Sequence, residues 1–280
     1  MQYLARMLCL LLVLALFGCG GENRTSNPTG GGGGPSTTPP PPVQNSATNW
    51  QFSTTSAVSE MPALTISGSV GRSGSAISAK FHVDGSNCFD PLSTVTLTGT
   101  LTNDDLSLTS NSVAGQVTTF TGRVTHDALA GWSSPGQFTG TYTISGGCAN
   151  GDQGSVTGIK LPFINHLVTG TLMASGGETF HLEGDMTLQG AISEGSFGIT
   201  GSVAFDTPCF GPSEIKSGVF PSGSYILGTS VALVFETGNG TIAFLGTLDP
   251  DKSEISGTYT ASGSTCDQTG TALLVLVPNR

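Results

Sequence analysis

Thr94-Val95-Thr96-Leu97-Thr98-Gly99-Thr100-Leu101 decides the fold class, because hydroxyl side chains alternate with small or apolar ones at a period of two. Extended backbone sends successive side chains to opposite faces, so one face of such a segment packs into a core while the other meets water. The same alternation, bounded by glycine, recurs over 63–70, 117–125, 137–144, 179–188, 231–236 and 241–248, and nothing from Trp50 onward sustains a helical period. Turn residues separate the segments at Asn103-Asp104, Gly238-Asn239-Gly240 and Asp249-Pro250-Asp251. The body is therefore expected to be all-β and antiparallel. Glycine-bounded hairpins that follow one another without a long crossover fit an up-and-down barrel or meander first and a Greek-key sandwich second.

A second pattern runs at longer range. Cys88-Phe89-Asp90-Pro91 returns as Cys209-Phe210-Gly211-Pro212, 121 residues later (209 − 88). Gly140-Thr141-Tyr142-Thr143 returns as Gly257-Thr258-Tyr259-Thr260 after 117 residues (257 − 140), and Cys148 returns as Cys266 after 118 (266 − 148). Motifs kept in order at a nearly constant offset indicate two homologous β domains, 49–162 and 163–280, each with room for about eight short strands.

The N-terminus reads as an address. Residues 1–18 combine Arg6, an unbroken apolar run from Leu8 to Phe17 and a small residue at Gly18, the three parts of an export signal. Ten residues at helical rise span about 15 Å, half a bilayer core, so the run is too short for a permanent anchor. It ends in Leu16-Phe17-Gly18-Cys19, which resembles the lipobox of bacterial lipoproteins. That resemblance implies cleavage before Cys19 and acylation of Cys19 with diacylglycerol and a further fatty acid such as palmitate. With Gly20 following the cysteine, it also implies sorting to the outer membrane. Residues 19–48 then hold five consecutive glycines (Gly30 to Gly34) and four consecutive prolines (Pro39 to Pro42), with few apolar side chains. Such a segment buries too little surface to offset its ordering entropy and is expected to be a disordered spacer of roughly 30 Å reach.

Removing the signal and acylating Cys19 leaves four cysteines, which allow three pairings. Only Cys88–Cys148 with Cys209–Cys266 treats the two copies alike, and an oxidising compartment lets such bridges persist. A four-cysteine zinc site would call for paired C-x-x-C spacing, which these residues lack. Composition narrows the partners. Without Arg6, eight basic residues stand against nineteen acidic ones, 8 − 19 = −11, which argues against nucleic acid and against anionic headgroups bound through a basic patch. A membrane-spanning barrel needs an apolar lipid-facing band with aromatic girdles, whereas aromatics are 7% here and the alternate positions are mostly Thr, Ser or Gly.

Candidate chemistry is sparse. His181, Glu183 and Asp185 share one strand face with Thr179, a set able to ligate a metal or exchange protons, though alternation alone produces the same letters on a solvated face. That simpler origin is the expectation, so no metal site is assigned. Asp249, Asp251 and Ser253 have the oxygen spacing of a calcium loop, but Glu254 replaces the glycine such a loop needs and Thr260 replaces its final carboxylate. His82, His126 and His166 are isolated from any nucleophile setting. No nucleophile elbow, P-loop, HExxH or dinucleotide fingerprint occurs in the body, so no cofactor and no catalytic residues are expected. Trp50 and the repeated Gly-Thr-Tyr-Thr strand resemble small ligand-binding barrels of the lipocalin or avidin type, a resemblance that implies an internal cavity. The sequence thus describes a membrane-anchored, non-enzymatic envelope lipoprotein with a binding or structural role toward an unknown envelope partner. A carrier of a small ligand is the second reading, and a hydrolase acting on envelope polymers the third.

Overall fold

A computed structural model describes residues 47–278 apart from 59–60, 91–93, 126–127, 130–134, 193–194, 219–221 and 264–265. The export signal, Cys19, the linker up to residue 46 and His126 lie outside the described residues.

Among the described residues every regular element is a strand. In chain order these are β1 (Thr48–Ser56), β2 (Thr65–Ser73), β3 (Ala76–Asp84), β4 (Thr94–Thr102), β5 (Asp105–Ser110), β6 (Val117–Val124), β7 (Gln137–Ser145) and β8 (Gln153–Lys160). There follow β9 (Asn165–Ala174), β10 (Thr179–Ala191), β11 (Phe197–Phe205), β12 (Ser213–Ile215), β13 (Tyr225–Leu227), β14 (Ser230–Thr237), β15 (Gly240–Asp249), β16 (Glu254–Ser262) and β17 (Gln268–Pro278). β1 to β8 pair in sequence order, and β8 returns to β1, closing an antiparallel barrel. β9 to β17 repeat the plan: β17 returns to β9, and β10 pairs with β11 to complete the ring. This is the up-and-down barrel, twice.

One position in the second ring is shared. β12 and β13 both lie between β11 and β14, where the first barrel has the single strand β4. Ile215 faces Gly201 and Tyr225 faces Gly198, so ten residues on one side (225 − 215) oppose three on the other (201 − 198). The β12–β13 connection therefore carries seven more residues than the strand opposite. Ser224 fastens its return end, its hydroxyl accepting from Val234 N at 2.8 Å.

Alternation places the apolar residues inside. Phe52 sits at the centre of the first barrel, with the rings of Trp50, Phe81, Phe120 and Phe138 at centroid distances of 5.7, 5.2, 6.1 and 5.7 Å. Phe205, Phe210, Phe180 and Phe235 form the corresponding edge-to-face cluster of the second barrel. Outside, the first barrel carries hydroxyls in register: Thr98 faces Thr109, Thr109 faces Thr119, and Thr119 faces Thr143. Apolar inside and hydroxyl outside is the reverse of a lipid-embedded barrel.

The repeated motifs have structural causes. Gly140 faces Gly122, and a Cβ on Gly140 would run into the Thr121 carbonyl and approach the Phe138 ring to 2.8 Å. Gly257 faces Gly246 in the same way, and a Cβ there would lie 2.5 Å from Gly246 Cα. The disulfides are Cys88–Cys148 and Cys209–Cys266, each with Cα atoms 5.6 Å apart, and each ties the β3–β4 or β11–β12 connection to the last hairpin of its own barrel. Asn103 and Asp104 both have positive φ, 51° and 70°, as the two-residue hairpin turn between β4 and β5 demands.

Candidate functional site

Eight strands give a barrel just wide enough for side chains to fill, and the interior of the first is filled. The void among Leu64, Phe81, Phe89, Leu97, Phe120 and Tyr142 is about 10 Å³. That is room for at most one water, where ligand pockets run to hundreds of Å³. Trp50 is part of this packing, 1% exposed, with its indole N–H donating to Thr48 Oγ1 at 2.9 Å.

At one end of the first barrel lies a polar group that the sequence did not single out. Asp152 is 3% exposed, and its Oδ1 accepts from Tyr142 OH at 3.0 Å and from Ser56 Oγ at 2.6 Å. Burial raises the Tyr142 phenol above its ordinary value, with the neighbouring carboxylate adding to the effect, so the ring stays protonated and donates. Beside it Gln116 donates to Cys88 O at 2.7 Å and accepts from Ala149 N at 3.1 Å, which stitches the disulfide loop to β6. The hydroxyls of Tyr142 and Ser56 both donate to this carboxylate, so the arrangement braces the barrel end. The second copy departs from it. Gln268 takes the ladder position of Asp152 next to Tyr259, and both Tyr259 OH and Gln268 Nε2 are buried without a hydrogen bond to another protein group. The repeated tyrosine was visible in the sequence; its partner was not, because the residue beside it changes between the copies.

His181, Glu183 and Asp185 point outward from β10, all exposed. Asp185 accepts from Ser202 Oγ at 2.8 Å, and the imidazole Nδ1 of His181 lies 3.3 Å from Thr171 Oγ1. Each turns to a different neighbouring strand, and among the described residues no three His, Cys, Asp or Glu side chains converge on one point. Asp249 is occupied too. It accepts from the backbone N–H of Asp251 and Lys252 at 3.1 and 3.2 Å and pairs with Lys252 Nζ at 3.0 Å, so its letters make a turn. The lysine holds its carboxyl below the ordinary carboxylate range. His166 sits partly buried beside β10, its Nδ1 accepting from Asn165 N at 3.0 Å, and burial lowers its pKa.

The barrels themselves meet through a built contact. Asn49, 1% exposed, donates from Nδ2 to Gly228 O at 2.9 Å and accepts from Gly228 N at 2.9 Å. Gln51 Nε2 reaches Thr229 Oγ1 at 3.3 Å, and a Cβ on Gly228 would run into Ser67. The turn between β13 and β14 thus presses on the outer face of β1 and β2, which is why Ser67 and Ser69 are buried there. A groove of about 620 Å³ runs alongside, with Arg72, Lys80 and Thr98 on one wall and Ala191 and Ile192 on the other. Arg72 Nε already donates to Gly74 O at 2.7 Å. No local pattern announces this seam in the sequence. No protein-family model matches the chain, and no curated protein matches it either.

Proposed function

We propose that this chain is a lipid-anchored envelope protein in which two barrels, the first with a filled interior, form a non-enzymatic binding or structural head. The observation that carries the reading is the packed interior. With the first barrel's core closed to anything beyond a water, recognition falls to the outer surfaces. Two disulfides support an exported address, since such bridges persist in oxidising compartments. The lipobox-like Leu16-Phe17-Gly18-Cys19 supports anchorage, because acyl chains contribute about 0.8 kcal/mol per buried methylene and several together hold a soluble body at a bilayer. Replacement of Cys19 by serine tests the anchor. The variant is expected to lose palmitate labelling and to leave the envelope fraction, and retention of both would refute it.

A further inference from the structure

We propose that the outer face of β9, β10 and β17 is a docking site for a protein segment whose apolar side chains are flanked by lysine or arginine. The inference goes beyond the reading of an anchored head and does not depend on the lipid.

The duplication supplies the argument. Strand registers superpose the two barrels: Ser67 and Ser69 of β2 correspond to Glu183 and Asp185 of β10, both 116 residues on (183 − 67, 185 − 69). In the same registers Asn49 corresponds to Leu167, Thr55 to Met173 and Thr157 to Leu273. In the first barrel this face is where the second barrel sits, gripped by Asn49. In the second barrel the equivalent face is open, and its centre has turned apolar. Leu167, Met173, Leu273 and Val277 are 51, 54, 41 and 41% exposed. Leu167 faces Val277 across the ladder, Val275 and Leu273 continue down β17, and Met173 lies diagonal to Leu273, so the register sets them along one strip. Its area is on the order of 400 Å², a size at which apolar patches on a monomer are often functional.

Charge identifies the occupant. Asp185 faces Leu167 and Glu183 faces Thr169 on one flank, while Glu254 faces Val275 on the other. A strip bounded by carboxylates on both sides selects an apolar segment with cationic flanks. It repels a second copy of this chain, whose formal charge is −10.

The test uses the full chain and a labelled peptide of alternating leucine and lysine, with a leucine–glutamate peptide as its counterpart. The cationic peptide is expected to bind and the anionic one not. The triple variant Leu167→Asn, Met173→Thr, Leu273→Thr installs the first barrel's own residues and leaves the charge unchanged, and it is expected to bind about tenfold more weakly. Glu183→Ser with Asp185→Ser is expected to weaken binding and reduce its salt dependence. Equal binding by the triple variant would show attraction by net charge alone and overturn the proposal. So would self-association of the parent chain, or its adsorption to phosphatidylcholine vesicles, if either disappears in that variant.

Discussion

Replacing Asn49 with alanine should uncouple the two barrels. The amide makes two hydrogen bonds of 2.9 Å to the backbone of Gly228, inside a seam where Asn49 is 1% exposed. Each such bond contributes about 1 kcal/mol net, and stranding the Gly228 N–H and C=O costs about 1–3 kcal/mol more, less whatever water recovers on entering the seam. A loss of about 2–4 kcal/mol follows, and it falls on the joint between the barrels, leaving both cores intact. In a Trp132→Phe background the remaining tryptophan, Trp50 in β1, follows the first barrel while far-ultraviolet dichroism follows both. In urea the two signals should coincide for the parent chain and separate for the variant. Asn49→Asp should lose more than Asn49→Ala, since it keeps the acceptor but sets a carboxylate against Gly228 O. Coincident transitions in Asn49→Ala, with stability within about 0.5 kcal/mol of the parent, would refute the coupling.

Phe52→Ala removes the ring at the centre of the first barrel's aromatic cluster and should cost about 3–5 kcal/mol in urea unfolding, seen by tryptophan fluorescence; a loss below about 1.5 kcal/mol would mean the site collapses to fill the void. Replacing Cys209 and Cys266 together by serine reopens a loop spanning 57 residues and should lower the second barrel's stability by about 4 kcal/mol, checked by calorimetry. Burial raises the pKa values of Tyr142 and Tyr259, so the folded chain holds phenolic protons that the unfolded chain releases near the ordinary phenol value of 10.0. Their contribution is whole below that pH and is lost as pH rises through the raised values. The alkaline fall in melting temperature should shrink in Tyr142→Phe and shrink further in the double variant with Tyr259→Phe.

What the sequence disclosed and what it hid divide by the range of the interaction. Strands were legible because burial on one face writes alternation into contiguous residues. Thr94 to Leu101 falls inside β4, and Gln137 to Ile144 inside β7. Disulfide pairing was legible because duplication left two copies to compare. The split of one strand position into β12 and β13 was not, since a loop within a ladder leaves turn residues such as Gly218 and Gly223 that read like any other connection. His181, Glu183 and Asp185 were correctly placed on one face, yet the meaning of that face depends on β9 and β17, which reach it from either end of the second copy. The grip of Asn49 on Gly228 joins residues 179 apart and follows from no local spacing.

That separation bears on how the molecule comes into being. Most neighbouring strands are consecutive, so on any route that delivers the chain N-terminus first each hairpin can zip as it emerges. The β1–β8 and β9–β17 junctions wait for a distant arrival. The first ring can be complete when Lys160 appears, and from that moment it offers a finished template, Asn49 included, on which its younger twin comes to rest.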